Sequence, residues 1–569
     1  MFVQRFFLCC IPVFLAACGG GSTSGSSLAG SDHSSAGSTS APSKLFVDRT
    51  NETGIEFLAG YKTSKGVSDI MKYCGGVASG DVNNDGLVDL FFIKGDIDQP
   101  SLYLNNGDNR YREATDNWGI DIEDHKGCGP AFADVNGDDR LDIFIGGIDG
   151  DPSYLWLQQQ DNQGKWHFID KTQEYGLADM VSPNTISASF GDYDGDGWLD
   201  LFLGHWGTPE SAPKEHLWRN LGGERFENTT VEAGLAEHMV LQPNNTAVLG
   251  AGVDYSFSGA FSDINNDRCP DLLVIGDFTT SQVFLNRCDG VYQKYASDEI
   301  DINNGMGGTT GDLDNDGDLD WFVSGIATAS GQGNRLYLNN HLSSQGAEQM
   351  FTDVSQKKGV VDGGWGWGAC FADFDNNGLL DIFHVNGWQA GLFGASYADD
   401  RSRLYMAEVN AGDNTLYYRE QALVAGITDR TQGRGVVCFD SDNDGDVDII
   451  TANGIFDEGL TPFKFYQNTH ADDHSNASTQ LRIQLLGSHP NTAAIGSKIK
   501  IVSSQATQMR EVTANSNFVS NNPAIQYVGF APGDTIESIE VRWQDGRISL
   551  HQGPFSKAHL TISHPDRNF

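Results

Sequence analysis

Positive charge is scarce in this chain: 36 Lys and Arg stand against 77 Asp and Glu, a formal net charge of -41. A surface so acidic excludes nucleic acid and anionic lipid headgroups as partners. Catalytic signatures are missing as well. There is no HExxH, no GxSxG, no P-loop and, beyond residue 18, no CxxC, while the Gly-rich run Gly305–Gly311 has the wrong spacing for a dinucleotide fingerprint and leads into a strand. The 14 histidines are scattered rather than clustered. No reaction is legible from these residues.

What is there is a loop, DxDxDGxxD in outline, that returns seven times, at Asp81, Asp134, Asp192, Asp263, Asp312, Asp373 and Asp440. Oxygen-bearing side chains stand at positions 1, 3, 5 and 9. They are Asp81, Asn83, Asp85 and Asp89; Asp134, Asn136, Asp138 and Asp142; Asp192, Asp194, Asp196 and Asp200; Asp263, Asn265, Asp267 and Asp271. The last three sets are Asp312, Asp314, Asp316 and Asp320; Asp373, Asp375, Asn377 and Asp381; Asp440, Asp442, Asp444 and Asp448. Carboxylates, amide oxygens and a carbonyl at position 7 suit a hard cation, so the expected cofactor is Ca²⁺, up to seven ions, one per loop. An EF-hand is excluded. Its bidentate Glu at position 12 is replaced here by Phe92, Ile145, Leu203, Val274, Val323, His384 or Thr451, and the residues after position 9 read as strands. The fourth loop, with only three carboxylates and Arg268 at position 6, is expected to bind weakest or stay empty.

A second phrase alternates with the loops: FVDRTNETGI from Phe46, FIDKTQEYGL from Phe168 and FTDVSQKKGV from Phe351 are three of its copies. Between loop and phrase lies one more strand, as in SLYLNNG. Each unit is therefore a four-stranded antiparallel blade. Because the array opens on a phrase and ends without one, the strand at Phe46 can complete the last blade and close the ring. The expected fold is all-β: a seven-bladed β-propeller over residues 45–470, a joint at 471–479, and a small β-sandwich over 480–563 where alternating strands continue without Asp loops.

The amino terminus, MFVQRFFLCCIPVFLAAC, reads as an export signal over residues 1–18, too short to span as a mature helix. Leu15–Cys18 resembles a bacterial lipobox, which implies lipidation of Cys18 and, with Gly19 following, retention at the outer membrane or cell surface. Residues 19–44, almost wholly Gly, Ser, Thr and Ala, form a tether reaching roughly 25–30 Å. Cys269 with Cys288, and Cys74 with Cys128, are candidate disulfides, whereas Cys370 and Cys438 sit in apolar strands and read as buried thiols.

The repeats resemble the FG-GAP/VCBS propeller repeats, and the phrases Asn491–Ser497, Arg510–Val512 and Val541–Gly546 resemble the ASPIC/UnbV domain. Together they resemble the architecture of the cartilage acidic protein family and its bacterial relatives. That resemblance implies a fold more firmly than an activity. On the face opposite the loops, topology gathers His205, Trp206, Trp365, Trp367, Trp388 and Arg434, either a candidate ligand surface for a protein or a glycan at the cell surface or indoles that pack between blades, where the Gly-x-Gly spacing around Trp365 and Trp367 permits close strand approach. The rival reading is a carbohydrate-active lyase or hydrolase on the same face, for which His205, Asp96, Asp149 and Arg434 are the nominees.

Overall fold

In the computed structural model, residues 44–62, 67–209, 211–239, 252–300, 302–328, 332–344, 350–388, 397–454, 463–470, 479–555 and 558–567 are described. The signal, Cys18, nearly all of the tether and the joint fall outside them.

Among the described residues of 46–468 there are seven four-stranded antiparallel sheets, beside a two-stranded one of Thr208–Pro209 with Val253–Asp254. In the first, Val77–Gly80 enters an Asp loop, Asp89–Phe92 leaves it, and Ser101–Asn105 and Tyr111–Glu113 follow outward. Register is fixed at the loop, since the residue before position 1 pairs with position 9: Gly80 with Asp89, Gly311 with Asp320, Phe439 with Asp448. The innermost strands are Val77–Gly80, Gly127–Ala133, Ser187–Gly191, Ser256–Ser262, Gly305–Gly311, Gly366–Ala372 and Gly433–Phe439. Each touches the next, and the last touches the first, which is the closed arrangement of a β-propeller. Closure comes from the amino terminus: Phe46–Asp48 pairs with Lys464–Asn468, Phe46 opposite Asn468.

The outer-strand phrase has a mechanical reason. Asp48 Oδ1 accepts the amide of Thr50 at 3.0 Å and its hydroxyl at 2.6 Å, and Thr50 Oγ1 then accepts the amide of Phe465 at 3.0 Å. The same clasp recurs at Asp170–Thr172 with Leu155 and at Asp353–Ser355 with Leu336, so each fourth strand is tied to its third beyond the ladder.

After the ring, Ile525–Phe530, Thr479–Leu486 and His559–Ser563 form one sheet, and Thr507–Glu511, Lys498–Ser503, Ile536–Arg542 and Ile548–Gln552 another. Leu481, Ile483 and Leu485 meet Ile499, Ile501, Ile539 and Val541 between them, the sandwich that the alternation implies.

Disulfides join Cys74 to Cys128, between the first two blades, and Cys269 to Cys288, within the fourth. A third joins Cys370 to Cys438, which corrects the reading of these two as free thiols. Ring curvature brings the inner strands of blades 6 and 7 side by side, leaving the Cα atoms 6.4 Å apart across a separation of 68 residues.

Candidate metal centres and the filled channel

Every loop organises its own oxygens. In the first, Asp81 accepts the amides of Asp85 at 3.0 Å and Gly86 at 2.8 Å, Asn83 accepts that of Asp85 at 2.9 Å, and Asp85 accepts that of Leu87 at 2.9 Å. Position 4 carries a positive φ throughout, 58° at Asn84 and 71° at Gly137 for example, where Asn and Gly are the tolerant residues. Position 9 has a second task. Asp320 Oδ2 accepts the amide of Leu313 at 2.8 Å while Oδ1 accepts that of Asn339 at 2.8 Å, and the same two-sided clasp appears at Asp89, Asp142, Asp200, Asp271, Asp381 and Asp448. These buried carboxylates thus fasten the loop to the third strand, whatever else they coordinate.

In four loops the carboxylates converge: Asp192, Asp194 and Asp200; Asp312, Asp314 and Asp316; Asp373, Asp375 and Asp381; Asp440, Asp442 and Asp444 each offer oxygens within 4.8 Å of one another. In each of the four, a buried oxygen has no hydrogen-bond donor among the described residues: Asp192 Oδ1, both of Asp312, Asp375 Oδ1 and Asp442 Oδ1. Arg219 pairs with Asp194 and Asp196 in the third loop but leaves Asp192 Oδ1 unpartnered; buried anionic oxygens without partners are costly unless a cation joins them, so this donor set fits a hard divalent ion. Burial pushes the carboxyls of Asp192, Asp312, Asp373 and Asp440 up to about 7. In blades 1 and 2, position 3 is an amide, and Asn83 and Asn136 donate to Asp85 at 2.9 Å and Asp138 at 3.1 Å. Asp267 groups instead with Cys269 and Cys288, whose sulfurs are consumed in a disulfide.

One set of residues escapes a reading that looks only at the loops. At the end of the third strand, Asn339 Nδ2 donates to Leu319 O of its own loop at 3.2 Å and to Ile264 O of the preceding loop at 2.7 Å. Asn105, Gln158, Asn220, Asn286 and Asn468 repeat this staple between neighbouring loops. The signal was visible as the Asn that ends YLN, WRN, FLN and YQN. In blade 6 Ala407 takes the place, and the seam with blade 5 is bridged by Asn315 donating to Gly378 O at 3.2 Å. Asn339→Ala should cost roughly 2–4 kcal/mol, because two buried carbonyls lose their donor. A urea midpoint equal to that of the unaltered protein would show the staple to be dispensable.

The channel is not open. Residues 513–523 of the carboxy-terminal domain enter it from the loop side and bond to the inner strands in turn. Ser520 Oγ accepts the amide of Val77, Asn521 O that of Ser79, Ala514 O that of Phe190, Asn515 Oδ1 that of Phe261 and Asn517 O that of Gly308, all at 2.9–3.1 Å. Asn517 Nδ2 reaches Val436 O at 2.8 Å, and Cys438 donates to Asn522 Oδ1 at 3.0 Å. Glycine makes the approach possible: a Cβ on Gly76 would lie 2.0 Å from Val519 O, and one on Gly307 2.2 Å from Asn517 O. At the tip, the Phe518 ring lies 5.2 Å from both Phe257 and Trp367.

This corrects the expected ligand surface. Trp367 and Arg434 are fully buried, Trp388 and His205 nearly so, and only Trp206 and Trp365 keep partial exposure. The Arg434 guanidinium stacks 4.0 Å above Trp367 and donates to Lys72 O and Gly433 O, while Tyr73 stacks on Trp388 at 5.6 Å. The indoles close the channel rather than face a ligand. The residues nominated for catalysis are spent separately. His205 Nε2 bonds to Glu215 O at 3.1 Å and its Nδ1 faces Asn184 O at 3.0 Å, Asp96 accepts the amide of Lys62 at 2.5 Å, and Asp149 pairs with Lys126 at 2.9 Å. On the other side lies a cleft of about 810 Å³ between loops 2 to 4 and the carboxy-terminal domain, with Asp196, Arg268, His489, Gln544 and Arg547 on its walls.

A family profile for FG-GAP-like repeats matches residues 81–145, 134–203 and 263–323, and one for ASPIC and UnbV matches residues 487–569. Cartilage acidic protein 1 of Xenopus tropicalis is 23% identical over 529 residues, 86% of this chain and 73% of the relative. The same protein of Homo sapiens is 23% identical over 513 residues, 83% and 69%. Among solved structures, the Bacillus licheniformis rhamnogalacturonan lyase PL11 aligns over 75% of this chain and 76% of its own, at 13% identity and a TM-score of 0.34. The V. cholerae biofilm matrix protein Bap1 aligns over 88% and 63%, at 12% and 0.27. Likeness at those scores says nothing about what this chain does. The chain carries FG-GAP-like repeats in an all-β propeller, followed by an ASPIC and UnbV domain, and is similar across both to cartilage acidic protein 1.

Proposed function

We propose that this protein is an exported, lipid-anchored, calcium-loaded binding module of the bacterial outer membrane or cell surface, which holds a rigid face to a protein or a glycan. The observation that carries the calcium reading is the orphaned carboxylate oxygen repeated in four converging loops. Positions 1, 3 and 5, the carbonyl of position 7 and the remaining lone pairs of position 9 would hold the ion, whose role is to fix the turn. Staples between loops and a filled channel then leave little freedom to lose on association. With the tryptophan face closed, the partner surface is the polar cleft between loops 2 to 4 and the carboxy-terminal domain.

The test is retention of the protein, in saturating Ca²⁺, on a panel of envelope and matrix polysaccharides and outer-membrane proteins. Calcium-dependent retention without release of fragments is expected. Release of shortened saccharides would replace the binding reading with a lyase or hydrolase. Retention on proteins alone would remove the glycan, and retention on nothing would sink the module.

A further inference from the structure

We infer that the fourth Asp loop takes no calcium because an ammonium of the chain's own, that of Lys498 from the carboxy-terminal domain, is already paired with its first carboxylate. Lys498 Nζ lies 3.0 Å from Asp263 Oδ2, 2.6 Å from Asp263 O and 2.6 Å from Asn266 Oδ1. Three donors meet three oxygens, which exhausts an ammonium. Its side chain and that of Asp263 are 8% and 7% exposed, so the charge is held out of bulk water.

The remaining oxygens of the loop are also taken. Asp263 Oδ1 accepts the amide of Asp267 at 2.9 Å, and Asp271 accepts those of Ile264 at 3.1 Å and Asn286 at 2.8 Å. No carboxylate oxygen of this loop is among the buried atoms that lack a partner, in contrast to loops 3, 5, 6 and 7. The neighbouring strand completes the exchange. Glu511 accepts the amide of Asp263 at 3.0 Å and the Ser262 hydroxyl at 2.6 Å, so a carboxylate from the same domain holds the loop backbone while Lys498 neutralises its first side chain. A divalent ion here would share the Asp263 carboxylate with a satisfied cation and bear its repulsion at a few ångströms.

The consequence is a division of labour among the loops. Loops 3, 5, 6 and 7 keep orphaned oxygens for metal from solution; the fourth is a latch that seats the carboxy-terminal domain without any. The inference rests on the calcium reading for the other loops, and the experiment separates the two. Bound calcium per chain is counted in the unaltered protein and in Lys498→Met, which keeps length and removes charge. At most six ions are expected in the former and one more in the latter. Equal numbers would overturn the inference, since the loop would then have lost its affinity for another reason. No calcium in either protein would overturn the calcium reading and this one with it. Should Lys498→Met fail to fold, crystals of the unaltered protein grown in calcium answer instead: anomalous scattering at the other loops and none at Asp263 is expected, and a peak at Asp263 overturns the latch alone.

Discussion

Chelation should lower the melting temperature by roughly 10 °C, a large effect for a chain of this size. A ligand at a hundred times its Kd adds about 2.7 kcal/mol per site, so four converging loops would supply roughly 10 kcal/mol, as much as the whole margin of an ordinary domain. The effect should depend on pH with a definite sign. Without metal, burial raises the folded-state carboxyls of Asp192, Asp312, Asp373 and Asp440 to about 7, above an unfolded value of about 4. Their contribution is then fully present below the unfolded value and is lost as pH rises through 7. In chelator the protein should be more stable at pH 5 than at pH 8, and in calcium that preference should reverse, because protons compete for the same oxygens. Identical melting in both buffers, with no calcium found on the protein, would end the calcium reading.

Phe518→Ala should be the most damaging truncation in the carboxy-terminal domain, at roughly 3–5 kcal/mol. The ring is fully buried at the centre of the propeller, against Phe257 and Trp367, with inner strands on every side that cannot collapse into the space. Tryptophan emission should shift to the red as water reaches Trp367. Leu550→Ala, at a side chain 59% exposed in the same domain, should change neither reading by a measurable amount. Unshifted emission and melting in Phe518→Ala would mean that the plug contributes nothing to holding the domain on the ring.

The repeat made most of the architecture legible. Seven loops in register name seven hairpins, and the order of phrases along the chain implied that Phe46 closes the ring, as it does. Local hydrogen bonding within the loops was equally readable, because Asp and Asn at alternate positions dictate it. The plug was not. Asn515-Ser516-Asn517-Phe518-Val519-Ser520-Asn521-Asn522 has no hydrophobic period and reads as an exposed polar loop, since its side chains serve the backbones of other strands far away in sequence. That same distance defeated the expected ligand surface. Aromatic residues beside Arg and His look alike in sequence whether they await a partner or enclose one from within, and here Phe518, over a hundred residues beyond Trp367, decides the matter.

The strand pair that closes the ring lies directly downstream of the amino-terminal segment. Any pull on that segment is delivered to Phe46–Asp48, whose hold on Lys464–Asn468 includes three residue pairs, the Thr50 clasp on the Phe465 amide at 3.0 Å, the ion pair of Asp48 with Lys464 at 2.9 Å and the contact of Arg49 with Gln467 at 3.3 Å. Drawn along the strand axis, these contacts bear the load together instead of failing one after another. The seam that completes the circle is therefore also where tension on the amino terminus would first be borne, by a three-residue strand at the outer edge of the last blade.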